Sequence, residues 1–228
     1  MQNLKNIKKT TLSKEWATLT RIDYDYQFKN NEWKSLSREC YNRGDGAAIL
    51  LYNIENQTVI LTQQFRMPIY DNNSEEAMSI EVCAGAIENN DTALDTIIRE
   101  TKEEVGYKIE EAKQVLTAYT SPGALTEKMF LFVAEYNDAM KVNEGGGLDS
   151  EDEEIKVLEL SFSKAIEMIN SGEIVDAKTI MLIQYAYVNN LLYKETKEAN
   201  FSACLVYGIV FVIFALFVYG IVYVLFIN

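Results

Sequence analysis

Apolar and polar positions alternate, or close into short apolar runs, along the first half of the chain: "TRIDYDYQF" (20–28), "WKSLSREC" (33–40), "AAILLYN" (47–53), "TVILTQQF" (58–65) and "SIEVCAG" (79–85). Patterns of this kind predict β-strands, and the intervening "KNNE", "NRGDG" and "NIENQ" carry turn residues. Further strands are expected at "KQVLTAY", "KMFLFVAEY" and "IKVLEL", and two helices at "SKAIEMINSG" (163–172) and "DAKTIMLIQYAYVNNLLYK" (176–194). Between the two groups of strands the period changes. Leu94, Ile97, Ile98 and Val105 recur at helical spacing, Asp91 or Thr92 can cap the start of this helix, and Gly106 suits the left-handed position after its end. Strands mixed with a few helices, some lying between strands, predict a layered α/β or α+β domain.

The central helix carries Glu100, Glu103 and Glu104 in "RETKEEVG" (99–106). Residues three and four apart are neighbours on a helix, so these carboxylates repel by roughly 0.2–0.5 kcal/mol per pair. The apolar stripe lies to one side of them, which predicts a buried side and a separate charged side facing a cleft or solvent. Clustered carboxylate oxygens suit a hard divalent cation, and Mg²⁺ in particular keeps waters and is completed by substrate phosphates. A second acidic cluster, "LDSEDEEI" (148–155), follows "EGGG"; by composition it is equally a solvated loop.

The chain has 228 residues, 48% of them hydrophobic, enough for one substantial domain. A formal charge of −13 argues against a nucleic-acid backbone as partner. The absence of histidine removes Ser-His-Asp and Cys-His chemistry and His-ligated zinc, leaving carboxylate, lysine, tyrosine and metal chemistry. Cys40, Cys83 and Cys204 are far apart and read as reduced, buried thiols of a cytosolic protein. The N-terminus lacks the apolar core of a signal peptide. Residues 201–227 carry no charge and exceed the roughly 20 apolar residues a membrane helix needs. With Lys194 and Lys197 upstream, that stretch predicts a C-terminal membrane anchor holding a cytoplasmic domain. The repeated "YGIV" at 207–210 and 219–222 is the mark of the competing reading, an apolar extension produced by frameshift or read-through.

Gly85, five residues, Asp91, seven residues and "RETKEEVGY" resemble the Nudix box, G-x5-E-x7-R-E-U-x-E-E-x-G-U with U bulky and apolar. Asp91 stands where the box has Glu, and Thr101 where it has an apolar residue; Asp91 would serve as a cap, and Thr101 would weaken packing modestly. The resemblance extends over residues 14–193 through "SRECYNRGDGAAILLYN", "QQFRMP", "EVCAGAIE", "YTSPGALTE" and "GEIVDAKT". It is nearest to the bacterial GDP-mannose-cleaving members of the nucleotide-sugar branch, with the ADP-ribose-cleaving members next.

The resemblance implies an α/β/α sandwich with a mixed sheet, to which the apolar tail would add a transmembrane-like helix. It implies an arm over residues 1–44 for dimerisation and substrate contact, a hydrolase domain over 45–198 and the tail over 199–228. Mg²⁺, with Mn²⁺ as a substitute, would be held by Glu100, Glu104 and the carbonyl of Ala84. Glu103 would be an auxiliary ligand or orient water, and Arg99 would grip a carboxylate in bidentate fashion. The acidic loop would be a mobile lid carrying a further metal ligand or general base, Glu153, with Glu151 behind it and Asp152 between them. Substrate contacts carry over to Trp16, Arg38, Glu39, Arg66, Ala84, Gly85, Ala86, Glu104, Glu127, Asp152, Glu153 and Lys178, with Trp16 stacking on the base from an arm that reaches a second subunit. The expected activity is metal-dependent cleavage of a nucleotide sugar, GDP-mannose to GMP and mannose 1-phosphate, or else ADP-ribose to AMP and ribose 5-phosphate. A membrane-tethered module that binds without hydrolysis is the different-class alternative; loss of Glu100 or Glu104 would favour it, and both are present.

Overall fold

The structure is a computed structural model and describes residues 3–72, 77–88, 90–148, 150 and 153–193. Strands β1 (Leu4–Lys14), β2 (Thr18–Gln27) and β3 (Trp33–Asn42) form an antiparallel three-stranded sheet. Strand β1 was not foreseen: nearly every residue in it is exposed, so no buried face imposes alternation on its sequence. Strands β4 (Gly46–Asn53), β5 (Thr58–Phe65), β6 (Met78–Glu81), β7 (Cys83–Ala86), β8 (Lys113–Tyr119), β9 (Lys128–Glu135) and β10 (Lys156–Ser161) form a mixed sheet in which β4 and β9 run parallel.

Successive residues of β4 feed two cores. Ala48 and Leu50 join Val59, Leu61, Leu131 and Leu182, while Ala47, Ile49 and Leu51 join Ile60, Phe132 and Ile97. Helices α3 (Phe162–Ser171) and α4 (Ala177–Val188) cover the first face and α2 (Ala93–Glu104) the second, which is why β4 reads as a continuous apolar run. Short helix α1 (Met67–Asp71) follows β5 and has Pro68 in its first turn.

The expected strand "SIEVCAG" is two strands. Strand β4 pairs with β5 only over Leu51–Asn53; beyond this, β6 pairs with β5 and β7 with β4, filling the opening between them. The switch occurs at Val82, whose amide donates to the Thr179 hydroxyl (2.8 Å) on α4.

Thr92, not Asp91, caps α2, in a reciprocal box with Asp95 (Asp95 N to Thr92 Oγ1, 3.1 Å). The buried side of α2 departs from the expected stripe. Leu94 is 38% exposed, whereas Glu104 is 2% exposed, so the carboxylates are not confined to a solvent-facing side. Thr101 is also buried, with its hydroxyl donating to the Ile97 carbonyl (2.7 Å). The helix expected at 176–194 stops at Val188, where Asn189 caps it and Asn190 takes a positive φ of 53°, a conformation asparagine tolerates. The expected C-terminal membrane helix is withdrawn: among the described residues no helix is long and apolar enough to cross a membrane, and residues 201–227 lie outside them.

Gly106 and Gly172, beyond the ends of α2 and α3, have φ of 79° and 83°. A Cβ at Gly106 would overlap the Asn143 backbone, whereas one at Gly172 meets nothing. Gly172→Ala should therefore cost only the left-handed term, about 1–2 kcal/mol, and Gly106→Ala clearly more, compared by urea denaturation midpoints.

Candidate functional site

Glu104 at the end of α2 turns into the protein beneath β7. Its Oε2 accepts the Ala84 amide (3.1 Å), and it is hydrogen-bonded by the Cys83 thiol. Burial pushes its carboxyl up to about 8; the bonds from Cys83 and Ala84 pull it down, while Glu100 and Glu153 push it further up. Burial likewise raises the Cys83 thiol, keeping it protonated as a donor. Cys40 is only half-buried, contrary to expectation, and Cys204 lies outside the described residues.

Glu100 passes directly over Gly85, where any Cβ would overlap its side chain, so the glycine at this point of the box is a steric requirement. Arg99 does not grip one carboxylate; it divides its guanidinium between Glu100 Oε1 (2.9 Å) and Glu103 Oε2 (2.8 Å).

The "EGGG" segment docks on the same helix. The backbone amides of Gly146 and Gly147 donate to the Glu104 and Glu103 carbonyls (2.9 and 3.2 Å), and Asn143 Nδ2 donates to that of Lys102 (3.3 Å). The terminal carbonyls of α2 are satisfied in this way. Glu153, on the far side of the loop, accepts the Leu148 amide at Oε2 (3.2 Å), and a Cβ at Gly147 would stand 2.5 Å from that oxygen. The expected lid is thus fastened to the helix that bears the clustered glutamates.

A cleft of about 1390 Å³ is lined by Trp16, Arg66, Ala84, Gly85, Ala86, Glu100, Glu127, Glu153 and Lys178. Glu104 does not line it but lies covered behind Ala84, whose amide it accepts, and Glu103 is held by Arg99. Trp16 is 77% exposed at the rim. Arg38 and Glu39 are not brought there: both lie on β3 opposite Ile22 and Arg21, exposed. Glu151 and Asp152 lie outside the described residues.

Three further polar residues hold the walls in place, Asp176 and Arg43 from within the lining and Glu81 from behind it. Glu81, 3% exposed, receives Arg66 Nε and Nη2 on its two oxygens (2.8 and 2.9 Å) and Lys178 Nζ on one of them. Asp176 caps α4 through the Thr179 amide (2.9 Å) and also pairs with Lys178 (2.9 Å). Arg43 reaches buried Glu127 (2.6 Å) from the turn "NRGDG". A carboxylate inside the otherwise apolar "SIEVC" was the one available signal for Glu81, since a buried charge demands a partner. Nothing local to Asp176 or Arg43 marks them.

The donors around Ala84 and Gly85 are hard oxygens. Among the described residues no three carboxylate, thiol or imidazole side chains are drawn together into a ligand set. A cation here would therefore draw on Glu100 and Glu104 together with backbone or substrate oxygens, a donor set that fits a divalent ion keeping part of its water shell. The mutual repulsion of Glu104, Glu100 and Glu153 fits the same ion, whose charge would relieve it.

The NUDIX-domain family model matches residues 42–181, and the model described as the GDP-mannose pyrophosphatase NudK N-terminal domain matches residues 3–41. The chain is 44% identical over 190 residues to a GDP-mannose pyrophosphatase of Cronobacter sakazakii, covering 83% of this chain and 98% of that one. The protein of that name from Salmonella typhimurium is 44% identical over 191 residues (84% and 98%), and that from Escherichia coli 43% over 191 residues (84% and 98%).

The raised Glu104 carboxyl sets a pH dependence on folding. A folded-state value of about 8 lies above that of an exposed glutamate, near 4.3, so its stabilising effect is full below about pH 4 and is lost as the pH rises through 8. In metal-free protein Glu104→Gln should raise the unfolding free energy at pH 9 by a few kcal/mol, on the order of the shift times 1.36 kcal/mol, and change it little at pH 4. Urea titrations at the two pH values measure the difference.

Proposed function

The chain belongs to the NUDIX family, and on that premise we propose that it hydrolyses the diphosphate bond of GDP-mannose, releasing GMP and mannose 1-phosphate. The observation that carries this reading is the pair Glu100, packed over Gly85 in the lining of the cleft, and Glu104, one helical turn on and bonded to the Ala84 amide, in a cleft whose wall also presents Arg66 and Lys178. Arginine and lysine are the side chains suited to a diphosphate. A stack of carboxylates opposite two cations is an arrangement for holding a metal–diphosphate complex.

In this reading Glu100, Glu104 and the Ala84 carbonyl hold Mg²⁺, with Mn²⁺ as a substitute. Bound there, the ion would neutralise the diphosphate and acidify a water. Arg99 holds Glu103 where it can orient that water. Glu153 is the proton acceptor, and its fixed hydrogen bond to Leu148 aims the carboxylate. Glu151 and Asp152 are neighbouring loop carboxylates in the same role. Arg66 and Lys178 bind the diphosphate, Trp16 stacks on the base, and Ala86 and Glu127 complete the wall.

Residues 1–44 act as an arm and 45–198 as the hydrolase domain, a division supported by the end of β3 at Asn42. Arg38 and Glu39 are exposed on the arm and do not line their own cleft, and exposed Ile7, Leu12 and Trp33 share their sheet, with exposed Phe28 in the turn between β2 and β3. A homodimer that offers this arm to a second cleft would give all of them a partner.

Purified protein given GDP-mannose and a divalent cation should release GMP, resolved by chromatography. Chelation should abolish release. Glu104→Gln should lower kcat/KM by about 100-fold or more, and Glu153→Gln should lower kcat by about 10²–10⁴-fold with KM nearly unchanged. AMP release from ADP-ribose alone would move the substrate while keeping the machinery. Failure to hydrolyse either would overturn the enzyme reading.

A further inference from the structure

Arg66 and Lys178 face the cleft, but neither is held there by its own segment alone. Both converge on Glu81, which lies behind the wall and does not line the cleft. The two oxygens of Glu81 take the Arg66 fork side by side, and one of them takes Lys178 as well. Lys178 has a second anchor in Asp176, so two cations face two carboxylates and the cluster is neutral before any ligand arrives. The backbone around Glu81 is itself pinned on two sides: Thr62 Oγ1 donates to its carbonyl (3.2 Å), and the next amide, Val82, donates to Thr179 (2.8 Å). Burial opposes the charge on Glu81, yet the Arg66 hydrogen bonds and the Lys178 charge hold its carboxyl at about 2, so it stays ionised at any working pH.

We infer that Glu81 is the positioning residue that sets Arg66 and Lys178 as one pre-arranged clamp for the diphosphate, without itself touching substrate. The inference rests on the hydrolase reading above. It has a consequence opposite in sign to simple electrostatics. Removing the negative charge of Glu81 leaves the cleft wall more cationic, which by charge alone would tighten binding of an anionic diphosphate. If instead the geometry of the clamp governs binding, the loosened Arg66 and Lys178 bind it more weakly, because preorganised side chains lose less freedom on engaging a ligand.

Glu81→Gln in the full chain separates the two. The probe is GDP with Mg²⁺, measured by calorimetry beside GDP-mannose kinetics, with circular dichroism verifying the fold. The expected result is a rise in both the GDP Kd and the GDP-mannose KM of roughly tenfold, the scale of one lost charged hydrogen bond, with kcat within about twofold of wild type. An unchanged or lower Kd overturns the inference, as does a fall in kcat at constant KM, which would mark damage to the adjoining Ala84–Gly85 segment. Should Glu81→Gln fail to fold, Glu81→Asp carries the test: it keeps the charge and withdraws the oxygens by one methylene, so a weaker GDP complex supports the clamp and an unaltered one overturns it. Wild-type protein that neither binds GDP nor hydrolyses GDP-mannose overturns the hydrolase reading and the inference with it, whereas activity with insensitivity at Glu81 overturns the inference alone.

Discussion

A carboxylate placed inside a protein without a cation hydrogen-bonded to it is costly, and the site is organised around one such group. Glu104 is covered on every side, and its hydrogen bonds come from a thiol and a backbone amide rather than from lysine or arginine. The surroundings follow from that burial. Strand β7 must present the Ala84 amide, so β6 and β7 enter the gap where β4 and β5 part. Gly85 must lack a side chain because Glu100 occupies the space above it. The end of the helix, its last carbonyls pointing at no further turn, is closed by amides of the glycine-rich loop, and this places Glu153 near the same two carboxylates.

Two buried glutamates show how partner chemistry, not burial, decides the outcome. Glu81 and Glu104 are covered to the same degree, yet one is held at about 2 and the other pushed to about 8. Desolvation raises both. Glu81 has two cations at hydrogen-bonding distance, whereas Glu104 is raised by two further carboxylates and feels Arg66 through its charge without a hydrogen bond from it. The first is a finished ion cluster that fixes side chains. The second is an electrostatic imbalance that a divalent ion and a diphosphate together would resolve, and the two sites share the cleft where that complex would lie.

The spacing of Arg99, Glu100, Glu103 and Glu104 was legible because helix geometry turns sequence intervals into neighbours with no help from the rest of the chain, whereas Gly85, on β7, was singled out only by the resemblance. The apolar run of β4 likewise announced a strand, and Gly106 announced a helix end. Strand β1 left no such mark, since exposed sheet carries no required alternation.

What the sequence determined, then, is local: which segments are helix or strand, and which carboxylates share one turn. The tertiary structure alone decided that Glu104 faces inward while Leu94 faces out, because periodicity records where apolar residues fall but not which polar residue a neighbouring strand needs as acceptor. It alone brought Lys178 to Glu81 across 97 residues and split one strand in two at Val82. Those outcomes depend on hydrogen bonds and charges between distant segments, whose energies appear only once the segments are packed.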